Sequence, residues 1–278
     1  MDFVKMHGIG NDYIYIDCFK QPAPENPAEL SIKLSAFHTG IGSDGIILIL
    51  PCEGADARMR IFNKDGSEGE MCGNGIRCVG KYLYDSGIKR ESVLNIMTLG
   101  GLKRLEMITE GGVATGARVN MGAPVFEPER IPLNAETNRV RLEAGGRQAE
   151  FFCLNMGNPH AVTSDIFPTD DEFETLGRAF ELNAAFPNRA NISFVKAVSA
   201  TCLNARIWER GSGATLACGS GATATLVAAY KMGLCSDKAS VRLPGGELFI
   251  EYDEKSGCAY MTGPAEISFV GTVTDKLI

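Results

Sequence analysis

Met71-Cys72-Gly73-Asn74-Gly75-Ile76-Arg77-Cys78 decides the reading of this chain, because it returns as Ala217-Cys218-Gly219-Ser220-Gly221-Ala222-Thr223. Each copy is Cys-Gly-x-Gly running straight into a helix-like segment. Working outward, Arg60-Ile61-Phe62-Asn63 aligns with Arg206-Ile207-Trp208-Glu209, and the match continues to Tyr84/Tyr230 and Gly87/Gly233. The offset stays at 146, the spacing of Cys72 and Cys218. Gly10-Asn11 and Gly157-Asn158 fall at almost the same offset. An internal duplication at this spacing is two copies of one unit, not a solenoid array. The expected fold class is therefore α/β (α+β), with two pseudo-symmetric lobes, each a mostly antiparallel sheet wrapped around a central helix.

The glycines punctuate the rest. Helices are expected over 28–37, 75–86 and 173–180, and from the second Cys-Gly-x-Gly to Met232, with Gly87 and Gly233 in the C′ position after their helices. Short alternating or apolar runs between them read as strands, among them Ile46–Leu50, Arg58–Asn63, Val113–Met121, Asn191–Val195 and Ala265–Val270. Gly8-Ile9-Gly10-Asn11-Asp12 reads as a turn between two strands, with Asn11 at the turn. Gly122-Ala123-Pro124 breaks the strand pattern. The lobes are accordingly expected at 1–121 with 264–278, carrying Cys72, and at 122–263, carrying Cys218. A pseudo-twofold relation would bring the two helix starts to face each other across a cleft.

Composition narrows the function classes. Lys and Arg number 27 against 34 Asp and Glu, a net charge of −7, and no basic run exceeds Lys89-Arg90. Nucleic acid is not an expected partner. The start of the chain lacks the layout of a signal peptide, and Ile46–Leu50 is far too short to span a bilayer, so no membrane association is expected. Nine cysteines without a CxxC pair argue for reduced thiols and a cytoplasmic location. With three histidines, zinc is not expected. Cys18, Cys153 and Cys202 lie in apolar runs and read as small core residues.

Cys72 and Cys218 are different, because each stands at a polar, glycine-rich helix start. The glycines let a ligand approach the backbone, and the first helical turn offers N–H groups that the helix itself leaves unbonded. The positive end of the helix dipole is expected to lower the thiol pKa. Two such cysteines meeting one carbon from opposite sides form an acid/base pair. A thiolate removes a proton from one face and a thiol delivers one to the other, which inverts a stereocentre. The amides of Gly73, Asn74, Gly219 and Ser220 are suited to a carboxylate beside the developing carbanion. No lysine stands out as a pyridoxal phosphate anchor, so a cofactor-free route is favoured and no metal is expected.

The motifs also carry a resemblance. Lys5-Met6-His7-Gly8-Ile9-Gly10-Asn11-Asp12, Phe62-Asn63-Lys64-Asp65-Gly66-Ser67-Glu68, the two cysteine motifs, Met156-Gly157-Asn158-Pro159-His160, Glu209-Arg210-Gly211 and Thr262-Gly263-Pro264-Ala265 occur in the order found in diaminopimelate epimerases. The chain resembles that family over its whole length. The resemblance implies interconversion of LL- and meso-diaminopimelate without a cofactor, on the route to lysine and peptidoglycan. It implies Cys72 and Cys218 as the catalytic pair, and an α-carboxylate site at Gly73, Asn74, Gly219 and Ser220. Contacts to the amino groups and the distal end fall on Asn11, Asn63, Asn158, Asn191, Glu209 and Arg210. It further implies a final strand that returns to the first, and a homodimer.

The residue types fit such a substrate, which has two carboxylates and two ammonium groups. Arg210 can grip a carboxylate bidentately, Glu209 can accept from an ammonium, and the asparagines supply both donors and acceptors. His160 is held as a supporting partner of a catalytic cysteine, beside the alternative of a structural histidine. Three positions depart from the family pattern. Ala214 stands where many members have Glu, Thr39 where a bulkier or charged residue is frequent, and Gly45 where some have a glutamine able to reach the substrate. The alternative function is a proline or hydroxyproline racemase-like enzyme of the same fold. More distant rivals are a phenazine-biosynthesis type of isomerase and a non-enzymatic thiol protein.

Overall fold

The computed structural model describes residues 1–274. The chain divides into two compact units, Met1–Val119 with the segment from Thr262 onward, and Asn120–Met261.

The first unit runs β1 (Asp2–Gly8), β2 (Asn11–Asp17), α1 (Pro27–Ser35), β3 (Gly45–Leu50), β4 (Ala57–Asn63), β5 (Glu68–Gly69), α2 (Gly73–Asp85), β6 (Val93–Thr98), β7 (Gly101–Glu110) and β8 (Val113–Gly122). The second runs β9 (Arg139–Ala144), β10 (Arg147–Asn155), β11 (Pro159–Thr163), α3 (Asp170–Glu181), β12 (Asn191–Ser199), β13 (Cys202–Glu209), β14 (Gly213–Ala214), α4 (Gly219–Lys231), β15 (Lys238–Leu243) and β16 (Gly246–Asp253). β17 (Cys258–Pro264) leads back to β18 (Glu266–Thr272), which pairs antiparallel with β1. The first crossing falls at Val119/Asn120, inside β8, and not at the Gly122–Pro124 break. A strand continues across it because residues there alternate in burial up to Gly122, whose φ of +89° ends the run.

Strand pairing repeats between the units. β1 pairs β2, β2 runs parallel to β3, and β3 pairs antiparallel with β4. One edge of β4 also takes the short β5 and, in parallel, β6, which pairs β7. In the second unit β10, β11, β12, β13, β14, β15 and β16 follow the same scheme. The parallel pairs are absent from the sequence-based expectation. They arise wherever a helix intervenes, since a β-α-β connection returns the chain in the same direction. The two-residue strands β5 and β14 were also not expected; they are too short to carry a hydrophobic pattern.

α2 packs on β1, β2 and β7, and α4 on strands from β10 to β16. α4 is buried on all sides from Gly221 to Ala229, which its alanines, threonines and single Val and Leu make sterically feasible. α1 packs on β3 and β4, and α3 on β9, β12 and β13. α1 brings Leu30 and Leu34 to Ile14, Ile16, Ile46 and Leu48. α3 brings Phe173, Leu176 and Phe180 to Phe151, Phe194 and Trp208. Among the described residues no helix is long and apolar enough to cross a membrane. All nine cysteines are free thiols; Cys153 is buried as expected, whereas Cys18 and Cys202 are only half-buried.

Ala214 has a physical counterpart in the other unit. Glu68, at the same repeat position, binds Arg60 through two hydrogen bonds of 2.7 and 3.0 Å. Arg206, the counterpart of Arg60, turns instead to Asp170 Oδ1 and the Pro168 carbonyl, both at 2.9 Å.

Candidate active site

Cys72 is the N-cap of α2, in extended conformation (φ −129°, ψ 116°), and its sulfur accepts the Gly75 N–H at 3.3 Å. This is the place normally held by Ser, Thr, Asp or Asn, where a side chain satisfies one of the first-turn donors. Gly75 is required at that point: a Cβ would lie 2.6 Å from Ile47 Cδ1. Cys218 caps α4 with nearly the same backbone (φ −126°, ψ 110°), and a Cβ on Gly221 would lie 2.8 Å from Ile207 Cδ1 and 3.2 Å from the Cys218 sulfur. Both glycines let a helix start press onto a strand with a thiol at its head. Gly73, Asn74, Gly219 and Ser220 form the first turns, so their N–H groups belong to the set that a helix does not bond internally.

Around Cys72 the structure gathers Asn11 and Asn74. The Cys72 thiol donates to Asn11 Oδ1 at 3.3 Å, and Asn74 Nδ2 donates to the same oxygen at 3.4 Å. Asn11 Nδ2 donates to Asp44 Oδ2 at 2.7 Å, which fixes which end of the amide faces the sulfur. Burial pushes the Asp44 carboxyl up from its ordinary range. Asn11 is not the turn residue; Ile9 (φ 49°) and Gly10 (φ 87°) are, and Asn11 opens β2. Positive φ at both central residues is the type I′ hairpin geometry. A β-branched residue there is unusual, and nothing in the sequence distinguishes Ile9 from Asn11 as its occupant. Arg77, fully buried, donates to Asn74 Oδ1 (3.0 Å), the Gly73 carbonyl (3.2 Å) and the Pro264 carbonyl (3.1 Å). It thereby holds the first turn of α2. Asn63 ends β4, with its Nδ2 on Ser67 Oγ at 3.1 Å in the β4–β5 turn.

Around Cys218 the neighbours are Ser220, whose Oγ is 3.6 Å from the sulfur, and Glu209, which hydrogen-bonds the thiol. Thr215 Oγ1 donates to Glu209 Oε1 at 2.5 Å. The expected lowering of the thiol pKa does not hold at Cys218. Burial first, and then the Glu209 carboxylate, hold it well above the ordinary thiol range, outweighing Ser220 and the Gly221 amide. Desolvation and a like charge both disfavour thiolate, and they exceed the dipole. Replacing Glu209 with Gln removes one of these causes. The pH midpoint of Cys218 alkylation by iodoacetamide, followed by peptide mass, is expected to fall, with faster labelling at neutral pH. An unmoved midpoint would show that burial acts alone.

Asn191 is buried and bonded at both ends of its amide, Nδ2 to the Pro159 carbonyl (2.8 Å) and Oδ1 from the Arg210 N–H (2.9 Å). It fastens the end of β13 to the start of β11. Arg210 itself is exposed, with Nη1 on the Asn188 carbonyl at 3.3 Å. His160 is fully buried, and its Nε2 lies 2.8 Å from Asn158 Oδ1. Burial and the nearby Arg210 push its pKa down to about 3, so the ring is neutral and donates to Asn158. His160 thus sets the Asn158 amide, while the Cys218 thiol is set by Glu209, Ser220 and Gly221. Asp44, Arg77, Thr215 and the Asn158–His160 pairing were not singled out from sequence. Arg77 lies inside the first cysteine motif, and its burial on a helix face is the signal that could have found it.

The chain shares its fold with solved structures of racemases, epimerases and other isomerases. It matches the structure of a probable proline racemase from Agrobacterium radiobacter K84 with a TM-score of 0.73, over 99% of this chain and 93% of that one, at 16% identity. A hydroxyproline epimerase from Agrobacterium vitis matches equally well (TM-score 0.73, 98% and 91% coverage, 16% identity). These likenesses establish the fold. The sequence goes further. A family model described as diaminopimelate epimerase matches residues 3–127 and 152–268. Relatives named diaminopimelate epimerase include one from Acetivibrio thermocellus, 49% identical over 280 residues and covering 98% of both chains. Another, from Methanococcus maripaludis strain C5, is 47% identical over 276 residues, 98% of this chain and 99% of its own. The chain belongs to the diaminopimelate epimerase family, within the amino-acid racemases and epimerases.

Proposed function

We propose that the chain interconverts LL-2,6-diaminopimelate and meso-diaminopimelate by two-base proton transfer between Cys72 and Cys218, without pyridoxal phosphate or metal. The observation that carries this is the pair of thiols at equivalent helix N-caps, each beside first-turn amides. One thiolate takes the α-hydrogen and becomes a thiol. The electron pair stays on the α-carbon next to the carboxylate, whose charge the amides of Gly73, Asn74, Gly219 and Ser220 take up. The other thiol then delivers its proton to the opposite face and becomes the thiolate. The reaction is balanced without an external acid or base.

Cys218 enters as the thiol, because burial and Glu209 hold it protonated. An ammonium group of the substrate paired with Glu209 weakens that hold, so substrate binding itself readies Cys218 for its turn as base. Asn11, Asn63, Asn158 and Asn191 supply the polar contacts, and Arg210 takes the distal carboxylate. The free thiols and the family support a cytoplasmic enzyme of lysine and peptidoglycan precursor synthesis, acting as a homodimer. Static light scattering would test the last point.

The direct test is solvent exchange. Reduced protein incubated with LL-diaminopimelate in D₂O should replace the α-hydrogen and form the meso isomer, with nothing added. Exchange of proline or hydroxyproline instead would move the chain to the racemase reading, and no exchange with any of the three would remove the function. Arg210→Met is expected to raise KM for diaminopimelate by roughly tenfold or more, the scale of one charge-assisted pair, with the thermal midpoint little changed. An unaltered KM would take Arg210 out of the site.

A further inference from the structure

The corner carrying Glu209 and Arg210 is fastened at each successive backbone amide. The Arg210 N–H donates to Asn191 Oδ1 at 2.9 Å, the Gly211 N–H to Glu181 Oε1 at 3.0 Å, and the Ser212 N–H to the Glu209 carbonyl at 3.2 Å. The second oxygen of Glu181 accepts the Trp208 indole N–H at 2.7 Å. One carboxylate therefore grips the residue before Glu209 and the residue after Arg210. Arg189 Nη1 lies 3.7 Å from Oε1 and offsets part of its charge.

The choice of an acid here calls for a reason. Glu181 is 5% exposed and is the last residue of α3, where the helix dipole disfavours negative charge. Burial adds a desolvation cost that an apolar residue of the same size would not carry. What an acid alone offers is two acceptors, one for each of two donors that converge from different elements. α3 is pressed onto this corner closely enough that a Cβ on Gly177 would lie 2.6 Å from the Trp208 ring.

We propose that Glu181 is a positioning residue for the reaction: its carboxylate, bonded at once to the Trp208 indole and the Gly211 amide, holds Glu209 on Cys218 and aims Arg210. This rests on the reading that Glu209 and Arg210 serve the substrate. Glu209 from β13 is the titratable group that raises the Cys218 thiol, with Ser220 and Gly221 from α4 acting against it. Loosening the corner withdraws Glu209 from the thiol.

Glu181→Gln tests this without a change of shape. Its amide offers one acceptor and one donor, so one of the two tethers must break. Trp208 is the chain's single tryptophan, so its emission reports the clamp directly. In the full-length variant the Trp208 emission is expected to shift. The pH midpoint of Cys218 alkylation by iodoacetamide should fall, with labelling at neutral pH faster on the order of tenfold, the effect of one charged hydrogen bond. The Cys72 midpoint should stay in place, and KM should rise more than kcat falls. General loosening, which exposes the thiol, would lower the midpoint further in Glu181→Gln/Glu209→Gln than in Glu209→Gln alone, whereas a clamp that acts through Glu209 adds nothing there. A folded Glu181→Gln protein with unmoved Cys218 midpoint and KM would overturn the proposal. Should that variant not fold, Trp208→Phe removes the indole donor from the other side; a folded Trp208→Phe protein must show the same downward shift, and an unmoved midpoint overturns the proposal equally. Because alkylation needs no substrate, absence of turnover with diaminopimelate would sink the functional reading while the clamp is still decided.

Discussion

Replacing either Cys72 or Cys218 with alanine is expected to lower epimerisation at least about thousandfold, within the range assigned to a positioned acid or base, while leaving the fold intact. The two variants should also differ in a way that separates a two-base from a one-base mechanism. With Cys218 gone, the thiolate of Cys72 can still take a proton from the face it meets, exchange it with solvent and return it to the same face. One stereoisomer should then incorporate deuterium slowly without inversion, and Cys72→Ala should show the same for the other. Both rates are read from a single NMR time course with each isomer as starting material. Normal inversion in either variant would end the two-thiol mechanism. Structural collapse is not expected. Cys72→Ala loses the N-cap bond to the Gly75 amide, about 1 kcal/mol, and Cys218, whose sulfur makes no cap bond, loses a small buried side chain; a chain of this size should tolerate either.

Gly45→Gln is expected to destabilise the protein by about 3 kcal/mol or more. For a chain of this length that corresponds to a fall in thermal midpoint of roughly 5 °C or more. Position 45 has φ +154°, and an added Cβ would stand 2.1 Å from the Phe62 carbonyl oxygen and 3.0 Å from the Asn63 Cα. These are backbone atoms of the paired strand β4, in register with Gly45 itself, so they cannot step aside without breaking the β3–β4 ladder. This backbone therefore does not accept a side chain at position 45 without moving. Gly54→Ala is the control: φ is +78° but nothing lies within 4 Å of the new Cβ. It should cost only the conformational penalty, about 1 kcal/mol. Equal losses in the two variants, measured by thermal or urea unfolding, would mean that the clash at Gly45 relaxes freely.

The duplication, the helix starts at both cysteines and the class of fold were all legible in the amino-acid sequence. Each rests on local signals: a repeated Cys-Gly-x-Gly, glycine at C′ after the two helices it starts, and alternating apolar residues. Such signals are written within one turn of helix or one strand, so they survive without knowledge of what packs where. The parallel pairs, the I′ turn with Ile9 at positive φ, and the identity of the clamps were decided by the tertiary structure. Asp44 reaches Asn11 across thirty-three positions, Arg77 reaches Pro264 across one hundred and eighty-seven, and Glu181 reaches Trp208 across twenty-seven. No local pattern records such pairings. The thiol of Cys218 shows the same division. Its place at a helix start follows from sequence and argues for a lowered pKa. Its actual direction is upward, because desolvation and the charge of Glu209 depend on how tightly α4 is enclosed. Sequence determined where the two thiols stand along the chain; enclosure in the fold decided the direction of the Cys218 shift and which residues hold the surrounding groups in place.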